Sequence, residues 1–256
     1  MVDLKEFEQK AADLRVLGMK ISIGQDTVYE KYWDEDCRRN IYSASKSFTS
    51  CAVGFAVQEG LIDLDERLMD AFKEDIPNNP DENLKKATVK DLLTMTLGQE
   101  KGFLMGKQRP RMEEQNWVKA SLAIPFVYEP GTHFVYNNVG PYLAGILVQR
   151  RAGCDLLSYL TPRLLKPLGI RKTIWEVDPE GNTFGAGGLF LTVSELHKLG
   201  MFYLQNGCWN GKKLLSKEWI HESTRKQVEN NKNSYGYGYL FLSLIHISEP
   251  TRLRRI

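Results

Sequence analysis

Tyr42-Ser43-Ala44-Ser45-Lys46-Ser47-Phe48-Thr49 is the stretch on which the reading of this chain turns. Ser43 and Lys46 stand three positions apart. On a helix such positions share a face, so the lysine amine reaches the serine hydroxyl one turn away. A serine at the start of a helix also meets the positive end of the helix dipole, which favours developing negative charge. A lysine crowded by other donors and partly desolvated gives up its proton more easily, so it can accept the serine proton near neutral pH. The plain alternative is an N-cap serine opening an apolar helix. The local pattern leaves both open, because average usage supplies roughly one S-x-x-K in a chain of this size. A second one is present, Ser223-Thr224-Arg225-Lys226. It runs into Gln227-Val228-Glu229-Asn230-Asn231 and reads as exposed polar loop, whereas Ser43 opens an apolar run directly after a strand pair.

Working outward from Ser43, residues 3–17 read as a helix with Leu4, Phe7, Ala11 and Leu14 on one face. Residues 19–23 and 27–33 read as two strands, joined through the turn chemistry of Gly24-Gln25-Asp26. The helix from Ser43 extends to about Glu59 and ends at Gly60. Beyond it the pattern is mostly helical as far as residue 180. Thr88 and Asp91 form a loose capping box there, and a helix over 141–151 is followed by Gly153. Residues 188–192 read as a strand, 194–204 as a helix and 235–241 as a strand entering a sheet. This order predicts one domain over 1–241. Residues 1–60 and about 181–241 form an α/β (α+β) body, and 61–180 a large helical insertion.

At 256 residues, with 42% hydrophobic and 26% charged side chains, the composition is that of a globular protein with a sizeable core. No run approaches the ~18 apolar residues of a membrane span, and Met1-Val2-Asp3-Leu4-Lys5-Glu6-Phe7 lacks signal-peptide shape, so a cytoplasmic location is expected. Cys37, Cys51, Cys154 and Cys208 form no C-x-x-C pair and are expected as free thiols, several of them buried. No histidine stands at ligand spacing from them, so no metal site is expected. The net charge of +2 matches residues 242–256 alone, where Arg252, Arg254 and Arg255 face only Glu249. The rest balances to zero, and no nucleic-acid footprint is expected.

Leu242-Ser243-Leu244-Ile245-His246-Ile247-Ser248-Glu249-Pro250-Thr251-Arg252 resembles the in-frame translation of a transposase sequencing adapter over eleven consecutive residues. Residues 242–256 are therefore expected to be a non-native tail on a longer natural protein.

A second element is Tyr136-Asn137-Asn138, a Y-x-N preceded by Glu129-Pro130-Gly131-Thr132-His133-Phe134. A tyrosine beside a lysine can share its proton network as base and then acid. An asparagine amide can fix the lysine and hold a substrate carbonyl. The plain alternative is a loop before a helix, with Asn138 as the cap. Trp117, the 102–106 loop and residues 126–128 are open to two readings, as walls of a substrate pocket or as core. His133, His197, His221 and His246 have no partners at metal or triad spacing and are expected to be structural or surface residues. No G-x-S-x-G elbow exists for a Ser-His-Asp triad.

The order of segments resembles the class C β-lactamase, D-Ala-D-Ala carboxypeptidase and family VIII esterase group. Ser43 to Thr49 is similar to its S-x-S-K-[ST]-[FM]-T box, and Gly60-Leu61-Ile62-Asp63-Leu64-Asp65 to its G-x-[LI]-x-L-[DN] helix exit. Thr88 to Gly98 resembles [IV]-T-[IV]-x-x-L-L-x-[HM]-T-S-G, with Leu97 in place of the serine. Pro130 to Asn138 is similar to P-G-x-x-[FW]-x-Y-[SA]-N. Pro167 to Thr173 resembles P-L-G-M-x-x-T, and Ala186 to Thr192 resembles A-G-G-L-x-S-T.

The resemblance implies a β-lactamase/transpeptidase-like fold, with an antiparallel sheet flanked by helices. It implies Ser43 as acylated nucleophile, Lys46 and Tyr136 as shared general base and acid, and Asn138 as substrate-binding residue that positions Lys46. The Ser43 backbone N–H would supply half of an oxyanion hole, with each such donor worth ~3 kcal/mol. The expected function is a serine hydrolase forming an acyl-enzyme on a small ester, peptide or β-lactam, with no cofactor. The rivals are a carboxypeptidase or β-lactamase whose leader is missing, and a catalytically silent relative that only binds ligands or partners.

The chain departs from the group in two places. The K-T-G or H-x-G box is absent, since Lys198-Leu199-Gly200 falls inside an expected helix. The box is expected beyond Phe241, so little turnover is expected of these 256 residues. Gly187 stands where cephalosporinases carry a tyrosine, which argues against a dedicated β-lactamase.

Overall fold

The computed structural model describes residues 4–230 and 235–243. The chain opens with α1 (Lys5–Asp13), the strands β1 (Gly18–Ile23) and β2 (Asp26–Tyr32), and the short β3 (Arg39–Asn40). A 3-10 turn at Tyr42–Ala44 leads into α2 (Ser45–Gln58). Helices α3 (Leu68–Ala71), α4 (Glu82–Lys86), α5 (Val89–Thr94), α6 (Trp117–Leu122), α7 (Val139–Ala152) and α8 (Leu156–Leu160) follow. The chain then alternates through β4 (Phe190–Leu191), α9 (Val193–Leu204), β5 (Cys208–Trp209), β6 (Lys212–Lys213) and α10 (Lys217–Thr224). It closes the described part with β7 (Val228–Glu229), β8 (Gly236–Tyr237) and β9 (Leu242–Ser243).

Every strand pairing is antiparallel: β1 with β2, β3 with β4, β5 with β6, and β7-β8-β9 as a three-stranded sheet. Helices flank these small sheets, in line with the expected α/β class. The centre is helical. Buried residues run along α2 from Ser45 to Ala56 and along α7 from Val139 to Gln149. Neither helix has a polar face of any length, as befits helices enclosed on all sides. Helix α7 seats directly on α5: a Cβ at Gly140 would stand 2.3 Å from the Leu92 carbonyl oxygen, so only glycine permits the approach.

Local chemistry sets the boundaries. Asp91 accepts from the Thr88 backbone N–H (2.9 Å) at the start of α5, and Glu195 does the same for Thr192 (3.1 Å) at the start of α9. Helix α7 stops at Gly153, in the left-handed region with φ of 68°. Among the described residues no helix is long and apolar enough to cross a membrane.

Three expectations need correction. The first helix ends at Asp13 rather than near 17. Arg15 takes φ of 53°, and Leu14, expected on the buried face, is 68% exposed. Ser223 is not in an exposed loop but fully buried in the last turn of α10. The apolar residues of that helix, Trp219 and Ile220, pull the turn into the core. Of the four free cysteines only Cys51 is buried, while Cys37 and Cys154 are exposed. Separately from these corrections, Leu242 and Ser243, at the start of the adapter-like segment, pair with Tyr237 and Gly236. Residues 244–256 lie outside the described residues.

Candidate active site

The pairing of β3 with β4 builds one wall. Asn40 lies opposite Phe190, and the ladder continues as the Ile41 N–H donates to the Leu189 carbonyl at 2.9 Å. The chain then turns sharply. Tyr42 adopts φ of 48°, uncommon for a bulky residue, and its N–H donates to the Asn40 side-chain oxygen at 2.7 Å. Ser43 follows in the 3-10 turn. The cap position of α2 is Ala44, with no side-chain capping bond, so Ser43 is not the helix cap of the plain reading. Ser45 is fully buried, and its hydroxyl accepts the Leu189 N–H at 3.0 Å, which ties α2 to the same wall.

Lys46 is only 2% exposed, an unusual place for an amine. Its Nζ donates to the Ser43 hydroxyl at 3.1 Å, to Asn138 Oδ1 at 2.8 Å and to the Ala186 carbonyl at 2.6 Å. Burial pushes the amine down to about 7, and the positive charge of Arg109 adds to the effect. The three contacts are not equivalent. Asn138 Oδ1 and the Ala186 oxygen can only accept, whereas the serine hydroxyl can also donate. Once Lys46 loses a proton, Ser43 is the one of these partners that can offer a hydrogen to its lone pair.

Asn138 occupies the cap position of α7, yet its side chain does no capping. Its Nδ2 donates to the Leu104 carbonyl at 2.9 Å while Oδ1 holds Lys46. Only this amide orientation fits, because the amine donates and the carbonyl accepts. The neighbouring Asn137 takes the helix-start contact instead, accepting the Gly140 N–H at 3.2 Å. The 102–106 loop thus acts on the site through backbone oxygens. Phe103 supplies another, for the Asn138 N–H at 3.2 Å.

Tyr136 meets the pair through its ring, with Lys46 Nζ 5.2 Å from the ring centroid. Among the described residues no hydrogen bond joins its hydroxyl to Ser43 or Lys46. The phenol of Tyr237 in β8 is pushed well above its ordinary value by burial and then by Tyr136. The four residues singled out from sequence, Ser43, Lys46, Tyr136 and Asn138, therefore converge. Trp117 packs in the core instead, edge-on to Tyr142 and Phe184.

Two residues that no motif indicated also belong here. Arg109, in the turn Arg109–Arg111, stacks on Phe184 at 4.3 Å and pairs with Glu176 at 3.2 Å. Nothing in the local sequence pattern marks either one. They meet across 67 residues of chain. The second S-x-x-K has no comparable arrangement: Ser223 donates to the Ile220 carbonyl at 3.2 Å, and Lys226 pairs with Glu229 at 2.5 Å.

Comparison with known proteins bears on the family and the fold. The chain is 31% identical over 157 residues to monacolin J acid methylbutanoyltransferase of Aspergillus terreus, covering 54% of this chain and 37% of the relative. It is also 31% identical over 150 residues to lovastatin esterase of Penicillium rubens, covering 50% and 37%. The matched part thus spans well under half of these relatives' length. Among solved structures, the octameric penicillin-binding protein homologue from Pyrococcus abyssi superposes with a TM-score of 0.74 at 22% identity, covering 94% of this chain and 65% of that one, which bears on the fold. The family model described as Beta-lactamase matches residues 5–242, and the chain belongs to that family.

Proposed function

We propose that this chain performs acyl transfer through Ser43, as a serine hydrolase acting on an ester or amide carbonyl. The observation that carries the reading is the buried amine of Lys46, 3.1 Å from the Ser43 hydroxyl and fixed by two carbonyl-type acceptors. Lys46, neutral in part near pH 7, takes the Ser43 proton as Oγ bonds to the substrate carbonyl carbon and the carbonyl electrons move to oxygen. Collapse of this intermediate breaks the bond to the leaving group, which receives the proton back from Lys46 or from Tyr136. Water or an alcohol then takes up the acyl group by the reverse sequence. Asn138 holds Lys46 through Oδ1 and, in the role the resemblance implies, binds the substrate. The reaction so written needs no cofactor.

The substrate class we favour is a small aliphatic ester rather than a β-lactam. Two similar proteins carry names of a methylbutanoyltransferase and an esterase. Gly187 also stands where a tyrosine would face a β-lactam, and it is not there for lack of room: a Cβ would meet only ordinary contacts, at 3.7 Å, with Phe184 and the Tyr42 carbonyl. Stoichiometric labelling by a fluorophosphonate and by a fluorescent penicillin, each compared with Ser43→Ala, tests the proposal. Ser43-dependent fluorophosphonate labelling is expected, with slow or absent penicillin labelling. Equal labelling of both proteins by the fluorophosphonate ends the Ser43 reading.

A further inference from the structure

Glu176 contacts two distant parts of the chain at once. One carboxylate oxygen, Oε2, accepts from Arg109 Nη1 at 3.2 Å. The other, Oε1, accepts from Asn40 Nδ2 at 2.9 Å. Asn40 passes the contact on, because its Oδ1 holds the Tyr42 N–H at 2.7 Å, immediately before Ser43 and at the residue with φ of 48°. The Glu176 backbone is itself fixed, its N–H donating to the Gly188 carbonyl at 2.9 Å. Gly188 takes φ of 84°, and a Cβ there would stand 2.5 Å from the Glu176 Cβ, so the chain keeps glycine exactly where the glutamate needs room. Arg109 is held on its other side by the Phe184 ring, and its Nε is buried without a partner. A guanidinium kept in so confined a place, with one of its donors unpaired, is placed for its charge more than for its bonds.

We propose that Glu176 is a positioning residue of this site, holding the Arg109 guanidinium with one oxygen and, through Asn40, the Tyr42–Ser43 turn with the other. This rests on the reading of Ser43 and Lys46 given above. The two links do different things. The Asn40 link holds the backbone that aims the nucleophile, where a displacement of ~1 Å costs on the order of a hundredfold in rate. The Arg109 link sets the field at the amine. The groups in contact with Lys46 are Ser43 from the turn before α2, Asn138 from α7, the Ala186 carbonyl and the Tyr136 ring, and the charge of Arg109 adds to burial in lowering the amine. Among these Arg109 is the formal cation, and Glu176 is the anion that partly offsets it.

The rate of Ser43 labelling by a fluorophosphonate, followed from pH 5.5 to 9, separates the two links. Asn40→Ala removes only the tether, and is expected to slow labelling ~10- to 100-fold without moving the midpoint of the pH profile. Arg109→Leu removes the cation and moves the midpoint to higher pH, because the charged amine becomes easier to hold. Glu176→Gln keeps an acceptor for Asn40 and so retains the rate, but leaves Arg109 uncompensated and moves the midpoint to lower pH. A residue with a merely structural role would not move the profile in opposite directions in two paired variants. Wild-type rates in Asn40→Ala, or midpoints of Arg109→Leu and Glu176→Gln that coincide with that of the wild type or shift the same way, overturn the proposal. Absence of labelling in the wild type, or equal labelling of Ser43→Ala, strikes instead at the Ser43 reading itself.

Discussion

At the scale of single residues, Lys46 carries the most physical tension. An amine in the core loses its hydration, and three hydrogen bonds and one aromatic face make good only part of the loss. Its value of about 7, against an ordinary 10.5, has two consequences. The first concerns rate. Below pH 7 the neutral fraction falls tenfold per unit, so labelling of Ser43 should rise steeply from pH 5.5 to 7 and level off above, with Lys46→Met abolishing it. A profile flat across pH 7 would remove Lys46 as the base. The second concerns stability, and its sign follows from proton binding. Between about 7 and 10.5 the unfolded chain binds a proton at Lys46 that the folded chain does not, so this group makes stability rise with pH in that window. Lys46→Met lacks the dependence. Its melting temperature relative to wild type should therefore be highest at pH 7 and below, and the difference should shrink towards pH 9. Burial of polar groups at functional sites in exchange for reactivity is a general pattern, and here it can be measured at one side chain.

At the scale of elements, α7 aims Asn138 and α5 locates α7. Two glycines bracket that helix for different reasons. Gly140 is there for space, since a methyl group would press on the Leu92 carbonyl at 2.3 Å. Gly153 is there for its φ of 68°, with nothing near its missing side chain. Gly140→Ala should destabilise by ~1–3 kcal/mol through overpacking and also slow Ser43 labelling, because Asn138 stands two residues before it. Gly153→Ala should cost about 1 kcal/mol and leave labelling unchanged. Denaturant melts paired with labelling rates check both, and equal loss of labelling in the two would mean that α7 does not position the site. The same elements mark what was legible in sequence. The caps at Thr88 and Gly153, the hairpin turn at Gly24 and the Ser43–Lys46 spacing are local chemistry, and local chemistry reads well from a single chain. The end of α1 was missed because an apolar period ran on through Leu14 without a burial partner. Ser223 was misread because burial at the end of α10 depends on distant packing. Asn138 reads two ways in sequence, as a cap and, by the resemblance, as the residue that positions Lys46, and its side chain lies against Lys46 and the Leu104 carbonyl. Arg109, Glu176 and Asn40 left no sequence signal at all, being 67 and 136 residues apart along their contacts.

At the scale of the whole molecule, ion pairs tie the N-terminal segments to those after residue 150. Arg38 holds Glu195 through Nε at 3.0 Å and Nη2 at 2.6 Å, and its guanidinium also donates to the carbonyls of Arg171 and Lys172. Arg163 clasps Glu59 at the end of α2 at 2.6 and 3.0 Å. Isolated exposed pairs contribute little, but these are forked arginine–carboxylate contacts that link distant segments. The hydrogen bond from Arg163 holds Glu59 below its ordinary 4.5. At Glu195 burial pulls upward, and the Arg38 contacts outweigh it, so that carboxyl is also lowered. Glu222, bonded to Arg225, falls to about 2. Carboxyls depressed in this way add stability that is complete above their unfolded value and is lost as pH falls through the folded one. The window is thus from about 4.5 down towards 2, well separated from that of Lys46. The urea midpoint is expected to fall slightly from pH 7 to 5, where the unfolded chain takes up a proton at His197 before the folded one does, and to drop further between pH 4.5 and 3. Added salt should flatten only part of the drop, since Glu222 lies at the surface while Glu195 is 13% exposed. Arg38→Met should lower the midpoint at pH 7 and make the remaining acid slope shallower, because the pair it removes is one that protonation would otherwise break. An acid slope as steep in Arg38→Met as in the wild type would mean that the link between Arg38 and Glu195 carries none of the molecule's resistance to acid.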